Sequence, residues 1–296
     1  MQAAEAASDK RQLLAREVID RQRATWASFA AAAFGICSLI ALQIFGGDLP
    51  DVTVIEALNA SVGADLGRAG LTSEQLIFFD DHALPFIATA VLQGAAALCY
   101  AYVLIVLFGA TVARGGRMPR FARMLALIGG LAASAGTIGL QVAIQFNVSN
   151  AIADQDWSAG PADGGAALAA QLLLLISAMG LALGTILIAL AAMRAGLLTR
   201  FLGWLGVGAG AAMVLALASA SGGGFSYVQV LWLLLVGVSL SGKAPSGRPP
   251  AWDAGEMVPW PTQQELREAR APAPEPKPQT GTPSPATSKK KRKKRR

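Results

Sequence analysis

The chain has 296 residues, 53% of them hydrophobic and only 15% charged, with 32 glycines; soluble domains carry roughly a quarter charged residues, so the balance is that of a membrane protein. Cys37 and Cys99 both lie in apolar runs, which excludes a disulfide framework and a CxxC metal site, and the single histidine, His82, excludes a multi-histidine catalytic centre. The net charge of +6 comes from the basic octet Lys289 to Arg296, without which the remainder is slightly acidic.

Residues 1–25 interleave Lys10, Arg11, Arg16, Arg21 and Arg23 with Leu13, Leu14, Val18 and Ile19. That spacing gives a helix one apolar stripe and one charged face, and predicts a cytoplasmic amphipathic segment lying along the membrane surface. The first apolar run, 27–46, is uncharged over twenty residues, about 30 Å as a helix, which matches the hydrocarbon core. Trp26 stands at its start, where an indole suits the headgroup layer. No A-x-A site follows, so the run is expected to persist as a helix.

Residues 47–85 form a long connection rich in acidic residues, with Arg68 as its single basic residue. Thr72 followed by Gln75 has the form of a capping box and predicts a short helix through Leu76, Ile77, Phe78 and Phe79, resting on the outer membrane surface or on the bundle. The second span, 86–112, begins after Pro85 and the third covers 124–146. The connection 147–165 carries Asp154, Asp156 and Asp163 and no basic residue. The fourth span is 166–193, the fifth 201–220 and the sixth, the shortest, 225–240. None of the six contains Asp, Glu, Lys or Arg, which argues against a proton-coupled pump, since intramembrane relays use ionisable groups.

A basic hinge occurs twice. Arg114, Gly116, Arg120 and Phe121 recur 80 positions later as Arg194, Gly196, Arg200 and Phe201, with Met118 and Leu198 as apolar equivalents, giving RxGx(M/L)xRF. Each copy joins two apolar runs, so the spans read as two related hairpins with a flanking helix on either side. Placing the amino terminus in the cytoplasm puts both hinges and the tail there, and every Lys and Arg except Arg68 is then inside. The arginines Arg114, Arg117, Arg120, Arg123, Arg194 and Arg200 fix this topology; a second reading has them grip lipid phosphates or a partner. Gly180 with Gly184, and Gly206 with Gly210, have the small-xxx-small spacing that lets helix backbones approach.

The expected fold class is therefore an all-α integral membrane protein with a six-helix domain over 26–241 and a disordered, cytoplasmic Pro-rich tail over 242–296. In the tail, Pro249, Pro250, Pro259 and Pro261 frame Trp252 and Trp260, and a Pro/Ala/Thr/Ser linker over 262–288 precedes the octet.

Chemistry is sparse. No Ser-His-Asp signature, Walker loop, HExxH or dinucleotide fingerprint occurs, and no cofactor is implied. Asp80, Asp81 and His82 form the one cluster resembling acid-base or metal chemistry, and their ordinary reading is as residues suited to a helix start. Gln43, Gln93, Gln141, Gln145, Gln171 and Gln229 all fall in the outer half of their spans. Amides in lipid need partners, so they are read either as interhelical hydrogen-bond glue or as the lining of an outward cavity rimmed by Asp80, Asp81 and His82.

The run Arg200, Phe201, Leu202, Gly203, Trp204, Leu205, Gly206, together with Pro249 to Pro261, resembles bacterial multi-pass membrane proteins, actinobacterial ones in particular, for which no activity is assigned. The resemblance implies a membrane fold and no reaction. The leading expectation is a non-enzymatic scaffold or recruitment module acting through Lys289, Lys290, Lys291, Arg292, Lys293, Lys294, Arg295 and Arg296; the alternative is a small uncoupled transporter or receptor using the glutamine cavity. Expected partners are anionic lipid headgroups, RNA or a ribosome at the tail, and a second copy of the chain.

Overall fold

The computed structural model describes residues 2–46, 53, 55, 58, 62, 72–158, 160–218, 227–244, 247–258 and 260. Most of the 47–71 connection, the turn at 221–224 and everything after Trp260, including the linker and the octet, lie outside the described residues. Among those described, the regular structure is helical: α1 (Gln2–Gly46), α2 (Ser73–Asp81), α3 (Ala83–Ala113), α4 (Arg120–Ala153), α5 (Gly165–Arg194), α6 (Arg200–Ala218), α7 (Tyr227–Ser241) and α8 (Pro250–Ala254). Four of these, α3, α4, α5 and the Ala15–Phe45 part of α1, are long and apolar enough to cross a membrane, while α6 and α7 are shorter apolar helices.

The first four predicted spans lie within helices, and so do the described parts of the fifth and sixth, 201–218 and 227–240, but two boundaries differ from expectation. The segment 1–25 is not a separate surface helix: α1 runs unbroken over 45 residues, about 68 Å at helical rise. No glycine or proline interrupts residues 2–34, so nothing in the local chemistry breaks the helix at Trp26. The predicted tail boundary at 242 is also too early, because the compact unit continues to Trp260.

The four long and two shorter apolar helices pack in a closed order, α1 against α3, then α3, α4, α5, α6 and α7 in succession, with α7 returning to α1. Contacts between α3 and α5 cross the middle. There Tyr100 and Trp232, both wholly buried, meet edge to face at 5.7 Å. The Thr185 hydroxyl donates to Leu181 O at 2.6 Å, leaving its oxygen to accept from Tyr100 Oη at 2.7 Å. Trp232 Nε1 donates to Leu202 O at 3.0 Å. Four helices are thereby tied at one level, and each buried polar atom involved has a partner, as an apolar interior demands.

Both glycine faces are used inside the chain. A Cβ at Gly129 would lie 2.7 Å from Leu181 N, and Gly180 packs back on Gly129, so α4 and α5 cross with their backbones close. Gly206 lies against Ala189 and Trp232, and Gly210 against Ile186 and Ala182 O. The outward faces are apolar instead, with Leu168, Leu172, Leu175, Ile176 and Leu183 exposed on α5, and Leu127, Ile128 and Leu131 on α4. Such continuous apolar surface is consistent with a membrane location.

The short helix through Leu76 to Phe79 forms as α2, and of its two predicted resting places it takes the bundle: Leu76 is buried with Val148 and Ala151 of α4. Its start differs from a capping box. Thr72 makes no side-chain cap, and its hydroxyl donates to Trp157 O at 2.7 Å, tying α2 to the connection that follows α4. That connection begins later than predicted, because α4 continues helical to Ala153.

Candidate functional site

The most elaborate arrangement of polar groups lies at the hinge end of the bundle. Both hinges open with the same helix stop: Gly115 N–H donates to Val112 O at 2.9 Å and Gly116 N–H to Thr111 O at 3.0 Å, while Gly196 N–H donates to Met193 O at 3.1 Å and Leu197 N–H to Ala192 O at 2.9 Å. These are Schellman pairs, which need a left-handed residue after the cap. Gly115 (φ 77°) and Gly196 (φ 79°) supply it. The sequence repeat aligns Gly116 with Gly196, so the second hinge stops its helix one residue later than the repeat implies. At the other side of each hinge the equivalence holds: Arg120 and Arg200 are the first residues of α4 and α6, and Phe121 and Phe201 follow, exposed.

That offset separates the two leading arginines. Arg194 is exposed in the last turn of α5, whereas Arg114 caps α3 and is buried. Its Nη1 and Nη2 donate to Glu17 Oε1 and Oε2 at 2.8 and 2.7 Å, Nη1 also donates to Ala110 O at 2.8 Å, and Nε donates to Ala251 O at 2.8 Å. The planar fork of arginine suits this division of donors. The guanidinium carbon lies 5.1 Å from the centre of the Trp252 ring, and that of Arg21 lies 6.0 Å from it, distances at which a cation is attracted to an indole face.

Trp252 belongs to α8, begun by Pro250 at its first position and ended by Gly255 at φ 65°, a proline start and glycine stop that make one short turn stable. The segment from Pro249 to Trp260 acts as a clasp. Trp252 Nε1 donates to Leu197 O at 3.0 Å and Trp260 Nε1 to Leu198 O at 3.1 Å, both carbonyls of the second hinge, while Arg114 binds it from the first. Arg200 Nη2 approaches Trp260 O at 3.4 Å, and Val258 O occupies the space a side chain at Gly196 would need. One segment thus joins both hinges and, through Arg114, the Glu17 region of α1. Of the hinge arginines, Arg117, Arg120, Arg123, Arg194 and Arg200 are exposed.

Sequence reasoning missed Glu17, which looks like one charge of an amphipathic face, and the burial of Arg114. The signal available for the clasp was two tryptophans in a short proline-rich segment, since an indole rarely stays in water when a partner is near. Beside the clasp, a groove of about 700 Å³ runs between α1, α3 and α4, with Arg16, Asp20 and Arg123 on its polar rim and Tyr102 and Val106 on its wall.

At the far end the glutamines do not converge as one set. Gln93 and Gln229 line a common cavity of about 40 Å³ with Thr137 and Ser177, room for about one water and not for a solute. Gln145 Nε2 donates to Phe79 O at 3.3 Å, so it holds α2 on α4. Gln141 is half-buried with its Nε2 unpaired, and Gln43 and Gln171 are exposed on outer faces. Asp80 and Asp81 are exposed. His82 is the single residue joining α2 to α3; its ring stacks on Phe78 at 4.3 Å with Nδ1 3.0 Å from Phe78 O. Among the described residues no three His, Cys, Asp or Glu side chains are grouped to hold a metal ion.

Fold and hinge geometry together define an all-helical protein with four helices able to cross a membrane and a tryptophan clasp over its repeated hinges. No protein-family model, curated protein or solved structure matches the chain.

Proposed function

We propose that this chain is a six-span membrane protein with both termini and both hinges in the cytoplasm, and that it acts without chemistry of its own, as an anchor presenting a basic tail at the inner membrane surface. The observation that carries the reading is the clasp. Trp260, after which the chain continues toward Lys289, is bound to Leu198 and Arg200 of the second hinge. The tail therefore starts from the face that also carries Arg117, Arg120, Arg123 and Arg194. The basic count supports that face as the inner one, because basic residues within short loops set orientation. The closed helix order supports six spans, since α6 and α7 complete the wall between α5 and α1.

Eight adjacent charges held near an anionic leaflet are attracted by about 1 kcal/mol each. Lipid is the favoured partner, since the anchor itself keeps the octet close to a membrane. Two measurements test this. Reporter fusions at Gly116, Gly196 and the chain end are expected inside and one at Gly160 outside; opposite sides for Gly116 and Gly196 would overturn the topology. Protein reconstituted in neutral nanodiscs is expected to capture anionic vesicles at low salt and to lose that capture on removal of 289–296. Capture that survives the deletion sinks the tail's role, and binding of RNA in preference to vesicles would replace lipid as its partner.

A further inference from the structure

A second groove, of about 410 Å³, lies between α1 and α7 beside the clasp. Its polar rim carries Arg21, Lys243 and Arg248, and none of its lining residues is acidic. Deeper in, Phe29 of α1 and Val238 of α7 supply apolar walls. Arg21, Thr25 and Phe29 recur at intervals of four along α1, so the cation and the aromatic ring stand on one helical stripe, two turns apart. Gly237 keeps α7 close to the Phe29 ring: a Cβ there would come within 3.0 Å of it. Trp26 stands 69% exposed at the lip. The nearest acidic group at the rim, Asp253, is exposed and meets Arg248 at 3.1 Å. Glu17 is already committed to Arg114.

Three cations above an apolar slot, with an exposed indole at the lip, match a molecule with an anionic head and a hydrocarbon chain. An inorganic anion would use the rim and leave the slot unfilled; a neutral lipid would leave Arg21 and Lys243 without an anion in contact, Arg248 alone being paired, with Asp253. We propose that this groove is a binding site for an anionic glycerophospholipid, its phosphate between Arg21, Lys243 and Arg248 and the start of one acyl chain against Phe29 and Val238. The site rests on the reading that the chain spans a membrane, and it is independent of the tail. It locks α1 to α7, the pair that closes the helix order, so bound lipid holds the bundle shut at the face where the clasp sits.

The test uses protein lacking 289–296, purified in mild detergent, with native mass spectrometry after adding phosphatidylglycerol or phosphatidylcholine. Phosphatidylglycerol is expected to be retained over phosphatidylcholine. The combined Arg21→Gln, Lys243→Gln and Arg248→Gln variant is expected to lose roughly a hundredfold in that retention. Val238→Trp, which fills the slot and keeps all three charges, is expected to lose about tenfold. Each variant's fold is checked by its elution profile and helical circular dichroism. Unchanged retention in either folded variant overturns the site, as does equal retention of the two lipids. Displacement of phosphatidylglycerol by millimolar inorganic phosphate would assign the rim to a soluble anion and overturn the lipid. If full-length protein retains the lipid and the truncated form does not, the tail reading stands and the groove falls.

Discussion

Arg114 and Glu17, 97 positions apart in the chain, face each other through two parallel hydrogen bonds of 2.8 and 2.7 Å at the junction of α1, the first hinge and the clasp. The Arg114 side chain is wholly buried and that of Glu17 is 15% exposed. Desolvating both groups is costly, so the pair is better regarded as a device that specifies which segments meet than as a source of net stability. Removing one partner strands the other. Glu17→Gln is expected to destabilise the protein by about 3 kcal/mol, and Arg114→Gln by a similar amount. The double variant should fall well short of the sum, since once one charge is gone the other has nothing to lose. Thermal unfolding of the four proteins in one detergent measures the coupling; additive effects would show that the pair is not a unit.

The clasp should open selectively. Trp252→Phe keeps most of the ring and removes the hydrogen bond to Leu197 O, an expected cost of about 1 kcal/mol. Trp252→Ala also removes the surface on which Arg114 and Arg21 rest, and is expected to cost about 3 kcal/mol or more. Release can be read directly by labelling a cysteine placed at the exposed Met257: its rate should rise in the alanine variant more than in the phenylalanine one. Equal rates would mean that the segment is held by something other than Trp252.

The two left-handed glycines predict opposite tolerance. A methyl at Gly115 meets nothing within 4 Å, so Gly115→Ala should cost only the backbone term, about 1 kcal/mol. At Gly196 the same change drives the methyl into Val258 O, so Gly196→Ala should displace the clasp and cost several times more. Melting temperatures of the two variants decide it, and similar losses would refute the asymmetry.

Buried hydroxyls should respond unequally as well. In Tyr100→Phe the Thr185 hydroxyl still donates to Leu181 O, so the expected loss is about 1 kcal/mol. Thr185→Val removes both the contact with Tyr100 Oη and the hydroxyl's bond to Leu181 O, and about 2 kcal/mol is expected. Reversal of that order in thermal unfolding would show that the Thr185 hydroxyl contributes less than the Tyr100 hydroxyl to holding these helices.

What could be read along the chain is what local chemistry decides. Helical apolar stretches at the predicted spans, Pro85 in the first turn of α3 and the short helix through Leu76 all follow from runs of residues whose preferences act over a few turns. The repeat of Arg120 and Phe121 as Arg200 and Phe201 was legible for the same reason: each pair begins a helix after a hinge. The repeat misled only at its glycines, because the helix end is set by which residue can turn left-handed with its Schellman bonds made, and the paired glycines at 115 and 116 offer two choices where Gly196 offers one.

Composition and hydropathy, which sum over twenty residues at a time, determined by themselves that this is a helical protein with long, uncharged apolar stretches. Tertiary structure alone decided which polar residues meet. Glu17 reads as one charge among many until Arg114 is brought to it across 97 positions, and Trp252 reads as part of a tail until the carbonyl of Leu197 stands within 3.0 Å of its indole nitrogen. The glutamines show the converse: six residues at a common depth share a pattern in sequence, yet rotation about each helix axis sends Gln93 and Gln229 into one small cavity and Gln43 and Gln171 to outer faces. Depth along a helix is written in residue number, while azimuth between helices is set by packing of small and large side chains against neighbours that the linear order does not reveal.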